Sequence, residues 1–444
     1  MMLVLRWLLS CVLPWAWLFA ATAAQAQITA VDGTKFSDPP LECKSRPLWF
    51  WNKAGATPDE IREIMTQCRD QSGYYGFGIL PAVEQDKYLS DDYFALYGVA
   101  LEAAAKLGLK MCLYDEYWFP SGSVGGQFAK RFPHLVMKRL DLQAVDVQGP
   151  TRHAAQLPPG SLMGAAAMNL QTLARLDITP SAADGKLVWD VPAGRWKIMV
   201  FSCVPEGPIM DYMNREATEK FLQLTHEEYY KRFAKHFGTT IDSVFYDEPT
   251  LYRNQGRAWT ETFNAKFEKK FGRSPVTLYP ALWLDIGPDT AAARVALFGL
   301  RAELFATEYI GVMDHWCREH HVSLTGHMDQ EQIENVTLIS GDLLKAFQHQ
   351  SIPGVDEVFA YRRTERAYKL ISSAATNWDH GLVMSETYGG ISHMPVSLLY
   401  RMGMDLYAKG INLMVPHAVW SDSKHIVFPP ELSWRDATYG PALP

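Results

Sequence analysis

The chain has 444 residues and a mass of 50.1 kDa, with 48% hydrophobic and 20% charged residues. That balance belongs to globular proteins and excludes a disordered, collagenous or coiled-coil chain. Its 42 basic and 49 acidic residues leave a formal charge of −7 without a basic run, which argues against a nucleic-acid partner.

At the N-terminus, Arg6 precedes the apolar run Trp7–Ala20, followed by Ala24-Gln25-Ala26. This is the pattern of a secretory signal peptide over residues 1–26, cleaved before Gln27, and it implies an exported protein, periplasmic or extracellular. The run is short for a membrane span and no later one reaches that length, so no stable membrane insertion is expected. Leu8-Leu9-Ser10-Cys11 resembles a lipoprotein box, but the apolar run continues past Cys11, which argues against lipidation. The other cysteines, at 43, 68, 112, 203 and 317, are odd in number and widely spaced without a CxxC pair. They predict neither a disulfide framework nor a structural zinc site.

Short β-rich runs then alternate with amphipathic helical patterns. The β runs are Leu48–Asn52, Gly76–Pro81, Lys110–Glu116, Ser243–Glu248, Val322–His327, Val355–Phe359, Leu382–Thr387 and Ile411–His417. Helical patterns cover Pro58–Gln71, Asp91–Leu107, Thr260–Phe271, Ala291–His320, Thr364–Asp379 and Pro395–Lys409. Eight strands alternating with helices predict an α/β fold of the (β/α)8 TIM-barrel type over residues 40–430. The stretch 140–205 breaks the rhythm with strand-like runs and Pro/Gly turns, and is expected to be a small antiparallel β insertion after the third strand. The last strand is followed by no helical pattern, so 431–444 is expected to be an irregular tail with the final helix missing.

In such a barrel, function sits at the C-terminal strand ends, where the polar residues of this sequence fall. Asn52, Asp115-Glu116, Asp247-Glu248, His327 with Asp329 and Glu331, Glu386 and His417 each end or follow an apolar run. A carboxylate ending a buried strand is costly unless something uses it. One alone would be an ordinary ion pair; several converging on one face point to a site. GxSxG and HExxH motifs are missing, and the glycine-rich Pro120–Gly126 lacks the lysine of a phosphate loop, so it reads as a tight loop at the mouth. Paired carboxylates in an aromatic-lined cleft are the arrangement for glycoside hydrolysis. Crowded acids push each other's pKa values apart, as one proton donor and one ionised partner require. Carboxylates on the fourth and seventh strands can face each other across the mouth, which singles out Glu248 and Glu386.

Arg46-Pro-Leu-Trp-Phe-Trp-Asn52, Tyr114–Gly122, Phe245-Tyr-Asp-Glu-Pro249, Thr325-Gly-His327, Ile352–Asp356, Ser385-Glu386 and Gly410-Ile-Asn412 with His417 together resemble glycoside hydrolase family 106, the α-L-rhamnosidase group. The resemblance implies a carbohydrate substrate such as a rhamnosylated polysaccharide or natural product, hydrolysis with inversion, and a calcium ion near the sugar. It also implies Glu248 as acid, Glu386 as base, and Glu331 as the rival for either role or as calcium ligand. Asn52, Asp115, Glu116, Trp118, Asp247, His327 and His417 are implied as sugar contacts or their supports. Relatives carry β-sandwich domains after the barrel, so a missing C-terminal region is a further expectation. Two other readings stay open: a carbohydrate-binding barrel without activity, and a glycosidase for another sugar.

Overall fold

The computed structural model describes residues 33–37, 43–82, 84–251, 257–329, 331, 340–358, 365–389 and 395–425. The expected signal peptide and C-terminal tail lie outside them. The chain divides into two units, Met1–Glu42 and Cys43–Pro444. In the first, the described residues form one short helix, Gly33–Ser37. The second holds every other described element. Among the described residues no helix is long and apolar enough to cross a membrane.

The repeating unit is a short buried strand followed by a helix. Strand β1 (Leu48–Trp51) leads to helix α1 (Pro58–Ser72), β2 (Gly76–Pro81) to α2 (Asp91–Leu107), and then comes β3 (Lys110–Tyr114). Helix α1 starts where Thr57 and Glu60 form a reciprocal capping box with Pro58 in the first turn, and it ends at Gly73 in the left-handed conformation. Helix α2 is capped by Ser90, whose hydroxyl accepts from the Tyr93 N–H.

An antiparallel sheet interrupts the rhythm. Its strands are β4 (Val136–Gln156), β5 (Ser161–Asn169), β6 (Arg175–Asp177), β7 (Ala182–Ala183) and β8 (Lys186–Met210). The sheet extends beyond 140–205 at both ends, and it takes in β10 (Ala258–Trp259) from further along the chain. Trp259 draws that strand in: it is fully buried, with its ring 4.2 Å from Phe263 and 5.8 Å from Tyr279.

Helices α3 (Arg215–Leu224) and α4 (His226–Phe233) lead to β9 (Ile241–Asp247). After β9 come α5 (Phe263–Phe271), α6 (Thr290–Leu304), a π-helical turn over Phe305–Ile310 and α7 (Gly311–Glu319). The single long helix expected over 291–320 is thus one run with a π-helical segment inside it. Strand β11 (Ser323–His327), α8 (Leu343–Gln348), β12 (Gly354–Asp356), α9 (Glu365–Asn377), β13 (Met384–Thr387), α10 (Val396–Ala408), β14 (Leu413–Pro416) and β15 (Val419–Trp420) complete the order. A short helix, Gln127–Arg131, also lies between β3 and β4, and the sequence pattern missed it along with α3, α4, α8 and β15.

The strands of the repeating unit pair in parallel. One sheet runs β11-β9-β3-β2-β1-β15 and another β12-β13-β14. The Ile352 N–H donates to the Leu324 carbonyl (2.9 Å), linking the entry of β12 to β11. Alternation along β1 sends Leu48 and Phe50 into a cluster with Leu80, Tyr114, Phe245 and Trp420. Trp49 and Trp51 go the other way, into the larger core with Ile61, Met65 and Tyr97 from the helices. Each such side chain contributes about 1.5–3 kcal/mol on burial.

Parallel register brings the strand ends to one level: His327 lies opposite Asp247, and Asp356 opposite Glu386. Gly326 permits this. It has φ +124°, and a Cβ there would lie 2.0 Å from the Tyr246 carbonyl oxygen. Gly326→Ala should therefore wedge β11 away from β9 and cost roughly 1–3 kcal/mol or more. The denaturant midpoint of the variant measures this, and an unchanged midpoint would contradict the close approach of the two strands.

Candidate active site

The carboxylates collect around His327. This residue ends β11, and its imidazole is buried between β9 and β13 residues. Its Nε2 lies 2.8 Å from Glu386 Oε2 and 3.2 Å from Asp247 Oδ1, and its Nδ1 lies 3.1 Å from the Met328 carbonyl oxygen. A carbonyl can only accept, so Nδ1 donates to Met328, and Nε2 faces the two carboxyl groups. Burial alone would lower its pKa. The hydrogen bonds and charges of Asp247 and Glu386 outweigh burial and hold the pKa well above the ordinary value. His327 thus has both nitrogens engaged by protein acceptors, the supporting one of the two roles expected for it.

Glu248 follows β9 with φ 45°, a conformation that costs a non-glycine residue about 1–3 kcal/mol. Burial pushes its carboxyl up to about 8, helped by the charges of Asp247, Asp329 and Glu386 and opposed by His327. A carboxyl group in this state is protonated at neutral pH and can donate. Tyr114 donates to Asp247 Oδ2 (2.5 Å) and so turns the other oxygen toward His327. Glu331 is fully buried near the other ring nitrogen, with Oε1 3.8 Å from His327 Nδ1. Its Oε1 accepts from the Asp356 N–H (3.3 Å), and its Oε2 has no hydrogen-bond partner among the described residues. Burial, reinforced by the Asp356 charge, pushes the Glu331 carboxyl well up. Asp356 is itself pushed up by burial and by the charges of Glu386 and Glu248, against the pull of His327.

Asn52 and Glu116, expected as sugar contacts or their supports, have their side chains bonded to the main chain. The Asn52 amide donates to the carbonyls of Asp422 (2.9 Å) and His425 (2.8 Å), and its oxygen accepts from the Asp422 N–H (2.8 Å). Glu116 is fully buried and accepts five main-chain N–H bonds, from Tyr117, Gly122, Ser123, Val124 and Gly125, at 2.7–3.1 Å. Burial raises its pKa while these donors pull against the rise. The glycine-rich loop after β3 is therefore an anion nest filled by the chain's own carboxylate. The nest needs positive φ at Gly122, Gly125 and even Val124, and the carboxylate offsets that strain.

Asp115, also fully buried, accepts from the Ser121 hydroxyl (2.5 Å) and is pushed well up in pKa by burial. Trp118 is half-buried, edge-on to Phe50 at 5.9 Å and stacked on Phe119 at 5.3 Å. His417 is buried with its ring 5.0 Å from Phe50. The structure thus joins Asp247, Glu248, His327, Glu331 and Glu386 into one electrostatic cluster and sets Asn52 and Glu116 in supporting loops. The expected site residues left out Tyr114 and Asp356. Asp356 ends the observed β12, but it is the second residue of the sixth β run expected from the sequence, Val355–Phe359, so the strand-end rule did not select it. Nothing in the sequence marks the Tyr114 contact.

The cluster has two faces toward a cation. Asp247, His327 and Glu386 offer ligand atoms within 4.8 Å of one another. That set does not fit calcium, which takes oxygen ligands, and its imidazole is already a hydrogen-bonded cation. Glu331, with its orphaned buried Oε2, and Asp356 form the oxygen-rich face, and this donor chemistry fits a hard dication.

The family model for glycoside hydrolase 106, alpha-L-rhamnosidase, matches residues 163–422. Among solved structures, the rhamnosidase from Novosphingobium sp. PP1Y is similar at 14% identity with a TM-score of 0.69. The similarity covers 88% of this chain and 56% of that one, so the chain spans little more than half the length of that rhamnosidase. A ruminal GH26 endo-beta-1,4-mannanase covers 64% of this chain and 84% of its own at 10% identity, with a TM-score of 0.15 that is too low to bear on the fold. No curated protein matches the chain. The family match extends over more than half of the sequence, through β9, β11, β12 and β13 and the residues that end them: the chain belongs to glycoside hydrolase family 106, the alpha-L-rhamnosidase family.

Proposed function

We propose that this chain hydrolyses terminal α-L-rhamnosides by inversion, with Glu248 as general acid and Glu386 as general base. The observation that carries the reading is the pair of unlike carboxyl environments of Glu248 and Glu386, both acted on by His327. Glu248 is desolvated and crowded by acids, which keeps its proton available for the leaving oxygen. Glu386 accepts from His327, which orients its carboxylate for the proton of an attacking water. The half-buried Trp118 offers an aromatic face at the mouth for the sugar. The fold that serves this reading is a closed (β/α)8 barrel, with the two parallel sheets as arcs of one ring and the antiparallel sheet as an insertion. Export through residues 1–26 would place the enzyme where it meets polysaccharide or glycosylated substrates.

Calcium would be held by Glu331 and Asp356 and would supply a fixed positive charge for sugar hydroxyls. Calcium should then raise the melting temperature of the native chain but not that of Glu331→Gln. Equal shifts in both would remove Glu331 as a ligand.

Glu248→Gln should slow hydrolysis of rhamnosides with poor leaving groups by about 10²–10⁴-fold and spare activated aryl rhamnosides. Equal loss on both would remove Glu248 as the acid. For the native chain kcat/KM should fall above about pH 8, as Glu248 loses its proton. The same raised pKa has a sign for stability. The folded state holds the proton more tightly than the unfolded chain, so stability is greatest below pH 4.5 for this group and declines as pH rises through about 8. Glu248→Gln should therefore melt higher relative to the native chain at pH 9 than at pH 5.

Azide should restore turnover to Glu386→Ala and yield a glycosyl azide of inverted configuration. No rescue there, with rescue of Glu331→Ala, would transfer the base role to Glu331.

A further inference from the structure

Ser121 lies in the glycine-rich loop after β3, outside the cluster of acids, and is fully buried. Every polar group it has is used. Its N–H donates to the Asp247 carbonyl (2.8 Å), and its Oγ accepts from the Asp247 N–H (2.9 Å). Its hydroxyl proton goes to Asp115 Oδ1 (2.5 Å), and its carbonyl accepts from the Tyr212 hydroxyl. Both main-chain groups of Asp247 are therefore tied to one serine of a different strand-end loop. Asp247 directly precedes Glu248, whose φ of 45° persists only where neighbours over-determine it.

The loop that carries Ser121 is in turn fixed from below. The Glu116 carboxylate takes N–H bonds on both sides of Ser121, from Tyr117 and from Gly122 to Gly125. A buried charge with five donors cannot release the loop without exposing an unsatisfied carboxylate.

We infer that Ser121 is a positioning residue for the proton donor: through the main chain of Asp247, and held by the Glu116 nest, it fixes the backbone from which Glu248 reaches the leaving oxygen. The inference rests on Glu248 being the general acid. It also gives the glycine-rich loop a task beyond shaping the mouth.

The test is the ratio of turnover on a 2,4-dinitrophenyl and an alkyl α-L-rhamnoside. This ratio does not depend on how much of a preparation is folded. Ser121→Ala removes the hydroxyl that accepts from Asp247. It should lose about 100-fold on the alkyl substrate, the scale of a misplaced catalytic group, and little on the activated one, so the ratio should rise. A merely structural serine would lower both rates together, and an unchanged ratio would overturn the inference. Should Ser121→Ala yield no folded protein, Glu116→Gln decides by the same ratio: it loosens the nest and should raise the ratio, and no rise would likewise overturn the inference. Glu248→Gln measured in parallel separates the two levels. If it leaves the ratio unchanged, the assignment of the acid fails. If it raises the ratio and the Ser121 and Glu116 variants do not, only the positioning role fails.

Discussion

Burying acids side by side is among the most expensive things a protein can do, and the end of the parallel sheets does it repeatedly. There Asp247 and Glu386 press on Glu248, Glu386 and Glu248 on Asp356, and Asp356 on Glu331. His327 makes the arrangement possible. Its two nitrogens reach an acceptor on each side, and its charge opposes the rise in pKa of Glu248, Glu331 and Asp356. The imidazolium needs the carboxylates as much as they need it, since burial alone would discharge the ring. Geometry then sorts the acids. Glu386, which hydrogen-bonds His327, acts as an acceptor, whereas Glu248, Glu331 and Asp356, which do not, are pushed toward the protonated form by burial.

The sheet supplies this sorting through register. Parallel pairing puts His327 opposite Asp247 and Asp356 opposite Glu386. A shift of one residue would send each of these side chains to the other face. Gly326 matters for the same reason, because the close approach of β11 to the Tyr246 carbonyl sets how deep His327 sits between its carboxylates. Strain follows the same logic. Glu248 and Val124 both adopt positive φ, and both lie beside buried carboxylates or their loops. In each case hydrogen bonds from elsewhere in the fold hold a backbone that local preference would relax.

Much of this was legible without coordinates. The alternation of buried runs with capped helical patterns located eight of the nine strands in the two parallel sheets, all but β15, because period-2 and period-3.6 patterns and signals such as Thr57-Pro58 and Gly73 are local. The acids at the strand ends were legible too, since an apolar run ending in a charge is written in consecutive letters. Asp356 escapes that pattern because the sixth strand ends three residues earlier than its apolar run suggests. Helices α3, α4 and α8 were not legible. They are short and lie beside loops, and their helicity comes from the surfaces they cover more than from their own pattern.

What the sequence determined by itself is the inventory: which strands form, which acids sit at their ends, and which family motifs they compose. The tertiary structure decided their employment. Glu116 and Asn52 look from the sequence like the other strand-end polar residues, yet their side chains are taken up by main-chain groups of loops. Ser121 looks like one more small residue in a glycine-rich turn, yet it fastens a residue 126 positions away. The difference is physical. A hydrogen bond is directional and spans about 3 Å, so its partner is fixed by where strands and loops meet in space and not by spacing along the chain.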